Sequence, residues 1–271
     1  MSIQASSDSA IVSRSVIQLA GLSEQQKNDV LESVLLAQAV ANAHQSTQET
    51  EYDALAWYRG FIATIGNTAW VVQASEFTEI CTTRTEGTVD KIILESLASD
   101  RAIDPEVYSS ISKALLAFAA AGKGSPAAAV FDKASISSTA KFASFQIAAA
   151  STDGNDVILT IWAYFYSSDV EIGDSALWFR SQGASLSMKT SKLVLRLNTQ
   201  IYAQVRALVH DKLNDANKLE AIVRLCSDSA RWKFAASAPR WVWIMFLVSS
   251  AMVVASLTRK YDVILRYRQL E

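Results

Sequence analysis

Few residues in this chain have the types and spacing that catalysis or metal binding requires. The two histidines, His44 and His210, lie far apart, and neither is near a second ligand at the spacings that zinc sites use. A serine nucleophile in a sharp Gly-x-Ser-x-Gly turn is also missing from the sequence. We therefore predict no catalytic residues, no metal site and no cofactor, and rank an enzymatic function behind two non-enzymatic ones.

The segment Gly122-Lys123-Gly124-Ser125 has some of the residue types of a phosphate-binding loop. A P-loop needs glycine where this chain has Ala117, and serine or threonine directly after the lysine, where this chain has Gly124. The pattern instead predicts that one helix ends at Gly122 and that the next begins behind Ser125.

An acidic segment contains Asp169, Glu171 and Asp174, whose carboxylates are ligands of the kind that hard cations prefer. The spacing lacks the glycine and the final glutamate of an EF-hand loop. We therefore interpret it as a solvated acidic turn.

Three aromatic residues, Trp162, Tyr164 and Tyr166, alternate along one predicted strand and so share one of its faces. An aromatic row of this kind lines a groove for carbohydrate or lipid in some proteins. Alternating aromatics on a central strand are more often part of the hydrophobic core. Both interpretations stay open at the level of sequence.

The most unusual feature is an uncharged run of 17 residues, 241–257, which contains neither glycine nor proline. As a helix it would be roughly 26 Å long, slightly shorter than the hydrocarbon core of a bilayer at about 30 Å. Its flanks carry the basic and aromatic side chains that are typical where a membrane segment meets lipid headgroups. We predict these membrane-interface residues: Arg240, Trp241, Trp243, Arg259, Lys260 and Tyr261.

The same run also suits the interior of a protein. Ser249, Ser250 and Ser256 make insertion into lipid less favourable, and a helix buried in a bundle is likewise apolar on all sides. A third hypothesis joins the two, because a water-soluble form could bury the run and a membrane-bound form release it.

Charge is distributed unevenly along the 271 residues. Residues 231–271 carry seven basic and two acidic groups, a net +5, which leaves 18 basic and 25 acidic groups, a net −7, on the other 230 residues. A chain with a net charge of −2 lacks the general basic field of nucleic-acid-binding proteins, so we expect no nucleic-acid partner. A basic C-terminal end is compatible with an anionic membrane surface.

Periodicity in the first half of the chain predicts helices. Ser23 and Gln26 form a capping-box pattern in front of a first helix to about Ala43, and a second helix should end near Gly66. A short β-like run, 70–77, follows. Further helices are predicted over 89–97, over 105–122 behind an Asp104 cap, and from 126 onward.

The character of the sequence changes near residue 135, where strands are predicted. Thr152-Asp153-Gly154-Asn155 is a tight-turn signal between two strands of a hairpin, the second covering 157–166. Further strands are predicted over 177–180 and 186–197. A helix capped by Asn198 or Thr199 should bury Ile201, Val205, Leu208, Val209 and Leu213, and a shorter helix is predicted over 219–225.

These elements predict an α+β protein with N-terminal helices, an antiparallel sheet of at least four strands over about 136–197, and C-terminal helices that include the apolar one. We divide the chain into a mainly helical region, 1–134, a sheet with helices, 135–230, and the basic-flanked apolar segment, 231–271. The first two regions can also form a single domain. Cys81 and Cys226 are interpreted as unpaired thiols, although a disulfide between them stays an alternative.

Two function classes follow. The first is a non-enzymatic membrane-active or membrane-anchored protein, toxin-like or pore-forming, whose C-terminal helix contacts a lipid bilayer. The second is a soluble self-assembling protein that uses the same helix to dock on a hydrophobic protein partner or on further copies of itself. The N-terminus lacks the basic start and apolar run of a signal peptide, so we expect membrane association or release without a classical signal.

Overall fold

A computed structural model of the protein describes residues 8–45, 49–82, 87–100, 103–173, 175–180 and 186–225, with backbone only for 77–82. All of them belong to a compact unit that covers residues 1–227, and a second unit covers 228–271. The elements are the strands and helices β1 (Ser9–Val12), β2 (Ser15–Gln18), α1 (Glu24–His44), α2 (Glu51–Gly66), β3 (Trp70–Thr82), α3 (Val89–Ser99), α4 (Pro105–Ala121), α5 (Pro126–Ser135), β4 (Phe142–Asp153), β5 (Asp156–Ser168), β6 (Leu186–Leu197), α6 (Thr199–Asp215) and β7 (Ile222–Leu225).

The strands among the described residues form one mixed sheet in the order β3-β6-β5-β4-β2-β1-β7. Every neighbouring pair is antiparallel except β2 and β4, which are parallel. The four long strands, β3 to β6, lie side by side at one end of the order, and the three four-residue strands lie at the other. The α+β class predicted from the sequence is confirmed.

Both faces of the sheet are covered, which explains why β5 is apolar or aromatic at almost every position. Alternate residues of β5, from Val157 to Phe165, pack under α1, α2 and α6 in what we call the first core. Trp162, Tyr164 and Tyr166 pack under α3, α4 and α5 in the second core. A strand that is buried on both faces lacks the polar alternation of a surface strand.

Helix caps explain where these helices begin. The Ser23 hydroxyl accepts a hydrogen bond from the Gln26 N–H, and the Gln26 side chain in turn accepts from the Ser23 N–H, as the sequence predicts. The side chains of Asp104 and Ser125 cap α4 and α5 by accepting hydrogen bonds from the N–H groups of Glu106 and Ala128, and a proline occupies the first helical position of each helix. Gly122 follows α4 with a φ of 84°, so the segment around Lys123 is the helix boundary that we expected and not a P-loop.

Two predicted elements are wrong. Residues 177–180 form only an isolated bridge between Arg180 and Thr88. The carbonyl oxygens of Leu177 and Phe179 instead accept hydrogen bonds from the N–H groups of Asp90 and Val89, at 2.9 and 3.2 Å, and so satisfy the first turn of α3.

The predicted helix over 219–225 is a single 3₁₀ turn, Leu219–Ala221, followed by strand β7. β7 pairs with β1, so that Ile222 packs against the first core and Val223 against the second. A short apolar run fits helical and strand spacing equally well, and here the free edge of β1 decides between them. β1 and β2 were not predicted from the sequence. The sheet is mixed because β2 pairs in parallel with β4.

Strands from both sides of residue 135 share this sheet. The division into regions 1–134, 135–230 and 231–271 stays a prediction. Residues 226–271, with the apolar run and Cys226, lie outside the described residues, and Cys81 lies in β3.

Candidate functional site

The aromatic row Trp162, Tyr164 and Tyr166 lies in the interior of the protein. The three residues are 5%, 1% and 1% exposed. Tyr164 stacks on Phe145 with ring centroids 5.7 Å apart, and the Tyr166 hydroxyl donates a hydrogen bond to the carbonyl oxygen of Ala176 at 2.6 Å. The side chains that we considered for a groove are thus second-core residues.

Burial also changes the pKa values of the two tyrosines in this row. Burial raises the pKa of Tyr164, and the nearby Asp100 carboxylate adds to the increase. Burial likewise raises the pKa of Tyr166, with a smaller contribution from Asp132. Both phenols therefore stay neutral over the whole physiological pH range.

A buried cation, Arg14, occupies the turn between β1 and β2. Its Nη1 donates a hydrogen bond to Ser144 Oγ at 2.8 Å, and its guanidinium carbon lies 4.2 Å from the centre of the Trp57 ring. Burial lowers the pKa of Arg14 to about 9, which leaves the side chain charged at neutral pH. These contacts join the β1–β2 turn to β4 and α2.

A second set of interior polar contacts lies where β2 and β4 run parallel. Gln38 Nε2 donates to Ser15 Oγ at 2.6 Å and to Gln146 Oε1 at 3.2 Å, and Ser15 Oγ donates to Gln146 Oε1 at 2.8 Å. Since the three residues come from α1, β2 and β4, the contacts fix the helix over the parallel strand pair. We assign them a structural role.

Charged side chains of α1 and α6 pair with each other at the edge of the contact between the two helices. Arg206 Nε and Nη2 donate to the two carboxylate oxygens of Asp29 at 2.7 and 2.8 Å, which raises the pKa of Arg206. One turn further on, His210 Nδ1 lies 3.0 Å from Glu32 Oε1. Hydrogen bonding and charge attraction by Glu32 raise the pKa of His210.

A surface feature that was not predicted from the sequence is an exposed apolar corner, made of Val71, Val72 and Ile201, which are 61%, 41% and 53% exposed. The two valines follow Trp70 at the start of β3, and Ile201 lies in the first turn of α6. The Asn198 N–H donates to the Ala69 carbonyl oxygen at 3.2 Å, which holds the two elements together at this point.

Leu208, at 57% exposed, continues the apolar surface along α6. The prediction that Ile201 and Leu208 face the core is therefore wrong. Tyr202, Val209 and Leu213 occupy the buried stripe of α6 instead. Helical spacing alone cannot separate two adjacent apolar stripes of which only one is covered, but the adjacent pair Val71-Val72, which breaks strand alternation, was a usable signal.

Within the described part of the chain, no cluster of three or more His, Cys, Asp or Glu side chains is placed to hold a metal ion. Of the acidic segment, Asp169 and Glu171 lie in a loop after β5, and Asp174 is outside the described residues.

The predicted membrane-interface residues Arg240, Trp241, Trp243, Arg259, Lys260 and Tyr261 all lie outside the described residues. Among the helices that are described, none is by itself long and apolar enough to cross a bilayer. The consecutive helices α4 and α5 reach that length and composition only as a pair, which is bent by 109°.

No protein-family model and no curated protein matches the sequence. Among solved structures, activated Cyt2Ba monomer from Bacillus thuringiensis subsp. israelensis aligns at 12% identity with a TM-score of 0.40, over 69% of this chain and 97% of that one. A delta-endotoxin aligns at 12% identity and a TM-score of 0.39, over 73% and 86%. The Evf virulence factor aligns at 14% identity and a TM-score of 0.30, over 80% and 87%. Similarities this low do not assign an activity to the chain.

Proposed function

We propose that the protein is a non-enzymatic, membrane-active protein whose C-terminal segment, residues 231–271, binds a lipid bilayer. The observation that carries the proposal is the run 241–257, uncharged over 17 residues and edged by basic side chains at both ends. Arg240 on one side, and Arg259 and Lys260 on the other, suit the two headgroup layers of a membrane.

The distribution of charge supports the same proposal. The segment carries a net +5, whereas the rest of the chain carries −7. Anionic lipids attract a basic segment with about 1 kcal/mol per Lys or Arg near the surface. They repel the acidic remainder of the chain, residues 1–230, which we call the body. The C-terminal segment is then the part of the chain that reaches the bilayer.

More specifically, we propose that the protein is toxin-like and forms pores. Under this hypothesis a water-soluble form shields the apolar run and a membrane-bound form inserts it. Several copies would act together, since a single short helix cannot enclose a pore. Leakage of a dye from vesicles distinguishes this form from simple anchoring, which leaves the bilayer sealed.

The test compares the full-length chain with Val248→Asp in flotation with phosphatidylcholine–phosphatidylserine vesicles. A carboxylate at the centre of the run costs about 3 kcal/mol on insertion scales, so binding should fall about 100-fold. Val170→Asp is the matched control, because it makes the same substitution at an exposed valine of the body. If the full-length chain stays out of vesicles at low and high salt, the proposal is overturned.

The alternative is a soluble self-assembling protein that buries the same run against a protein partner or further copies. It predicts no flotation of the full-length chain and a loss of oligomers in Val248→Asp. Size-exclusion chromatography with light scattering, run beside the vesicle assay on the same variants, separates the two functions.

A further inference from the structure

The sheet ends on one side in a long strand that has a single neighbour. β3 spans 13 residues and, among the described residues, pairs only with β6. At the opposite edge β7 has four residues. The sheet thus has one long edge, with a row of backbone N–H and C=O groups directed away from β6.

Behind the buried Trp70, the next part of β3 is open to solvent on both faces. Residues 71–76 are all exposed, although a strand alternates the direction of its side chains. The register with β6 shifts between Val72 and Ala74, so Gln73 has no partner residue on β6.

Apart from the register shift at Gln73, β3 lacks the usual features that prevent edge strands from associating. It contains no lysine, arginine or proline, and its charged residues are Glu76 and Glu79. Residues 70–75 are uncharged, with Trp70, Val71 and Val72 among them.

The sequence of β3 is compatible with antiparallel pairing to itself. If Ala74 of one copy lies opposite Ser75 of another, Val72 lies opposite Phe77 and Gln73 opposite Glu76. No acidic residue then faces an acidic residue, and Gln73 can donate to the Glu76 carboxylate.

We propose that two copies of this chain associate through their β3 strands, in antiparallel register about a two-fold axis between Ala74 and Ser75. The two sheets become one continuous sheet, and backbone hydrogen bonds supply the contact. The inference is independent of membrane binding, because it uses different residues.

The experiment measures the mass of the full-length chain by light scattering and sedimentation velocity at micromolar concentrations. The full-length chain should have twice the mass of one copy. Ala74→Lys/Ser75→Lys places like charges opposite each other in two symmetry-related pairs and should weaken association at least tenfold. Both positions are exposed, so the fold should persist, which circular dichroism checks.

A rescue variant tests the register. Ala74→Lys/Ser75→Glu places opposite charges across the same two pairs and should keep the dimer. Tyr52→Lys/Leu116→Lys is the matched control, since it adds the same charge at two exposed apolar positions outside β3. The inference is overturned if the full-length chain is monomeric, if the double-lysine variant of β3 stays dimeric, or if the control dissociates equally.

The same samples separate this inference from the function proposed above. Val248→Asp should lose vesicle binding and keep the dimer. If Val248→Asp instead dissociates the oligomer while Ala74→Lys/Ser75→Lys does not, the C-terminal run forms the interface and the β3 inference fails.

Discussion

Asp29 is a buried carboxylate at the contact between α1 and α6, with a side chain only 2% exposed. It accepts two hydrogen bonds from Arg206 and one from Gln25 Nε2, at 2.9 Å. Arg206→Ala removes the counter-charge and leaves the carboxylate buried, so it should lower the free energy of unfolding by about 3 kcal/mol. Urea denaturation measures the change.

Arg196 provides the matched control. It pairs with Asp153 and Asp156, but its own side chain is 40% exposed. Arg196→Ala should cost less than about 1 kcal/mol, because water replaces the lost contacts. Equal losses in the two variants would contradict the role given to the buried Asp29.

His210 should make the α1–α6 contact sensitive to pH. The Glu32 carboxylate raises the pKa of His210 above its ordinary 6.5 in the folded protein, and Asp211 contributes in the same direction. The contribution to stability is therefore complete below the pKa of the unfolded chain and disappears as the pH rises through the folded-state pKa. In Glu32→Gln, an NMR titration should find the pKa of His210 lowered, and an unchanged value would contradict this pairing.

At the scale of elements, local signals predict where helices begin more reliably than which face they bury. The caps at Ser23, Asp104 and Ser125 lie where the sequence predicts them, because capping is decided within a few residues. For α6 the sequence allows Asn198 or Thr199, and Asn198 is the cap. The face of α6 depends on how much of it α1 covers, and that is a property of the tertiary structure.

Whether a strand is predictable from the sequence depends on how far along the chain its partner strand lies. The β4–β5 hairpin is predicted because its turn and both strands are continuous in sequence. β1, β2 and β7 have four residues each and form through partners far away in the chain, such as the parallel pairing of β2 with β4. Four apolar residues have no periodicity that distinguishes such a strand from a helical turn.

The aromatic row was only partly predictable. Its alternation correctly placed Trp162, Tyr164 and Tyr166 on one face of β5. Whether that face was core or groove depended on α3, α4 and α5, which cross it from an earlier part of the chain. The exposed corner of Val71, Val72 and Ile201 likewise arises only when β3 and α6 meet.

The β4–β5 turn gives a prediction at this scale. Gly154 has a φ of 63°, a conformation that costs residues with a Cβ roughly 1 kcal/mol. No atom lies within 4 Å of the position a Cβ would take, so the cost is one of backbone conformation alone. Gly154→Ala should therefore lower the free energy of unfolding by about 1 kcal/mol in thermal or urea denaturation.

Gly60 is the control for this substitution. It lies within α2, where a new Cβ would meet the Cβ of Ala41 at 3.8 Å, an ordinary contact. Gly60→Ala should stabilise the protein by about 0.5–1 kcal/mol through helix propensity. A loss in Gly60→Ala as large as that in Gly154→Ala would contradict the assignment of the Gly154→Ala loss to backbone conformation.

At the scale of the whole molecule, the near-neutral net charge is an average of two unlike parts. The described body carries its own two cores, and the surplus of basic charge lies beyond it in residues 231–271. If that segment binds lipid partly by charge, then affinity must depend on the lipid headgroups and on salt as well as on apolar area.

Arg259→Gln/Lys260→Gln tests this dependence. At about 1 kcal/mol for each basic residue, binding to phosphatidylserine-containing vesicles at low salt should weaken about 30-fold. Binding to neutral vesicles should change little. High salt should reduce the difference in binding between the variant and the unaltered protein. Flotation measures both. Lys212→Gln/Lys218→Gln changes the net charge equally at exposed lysines of the body and should leave vesicle binding intact. Equal losses in both variants would assign the electrostatic attraction to the whole chain instead of the C-terminal segment.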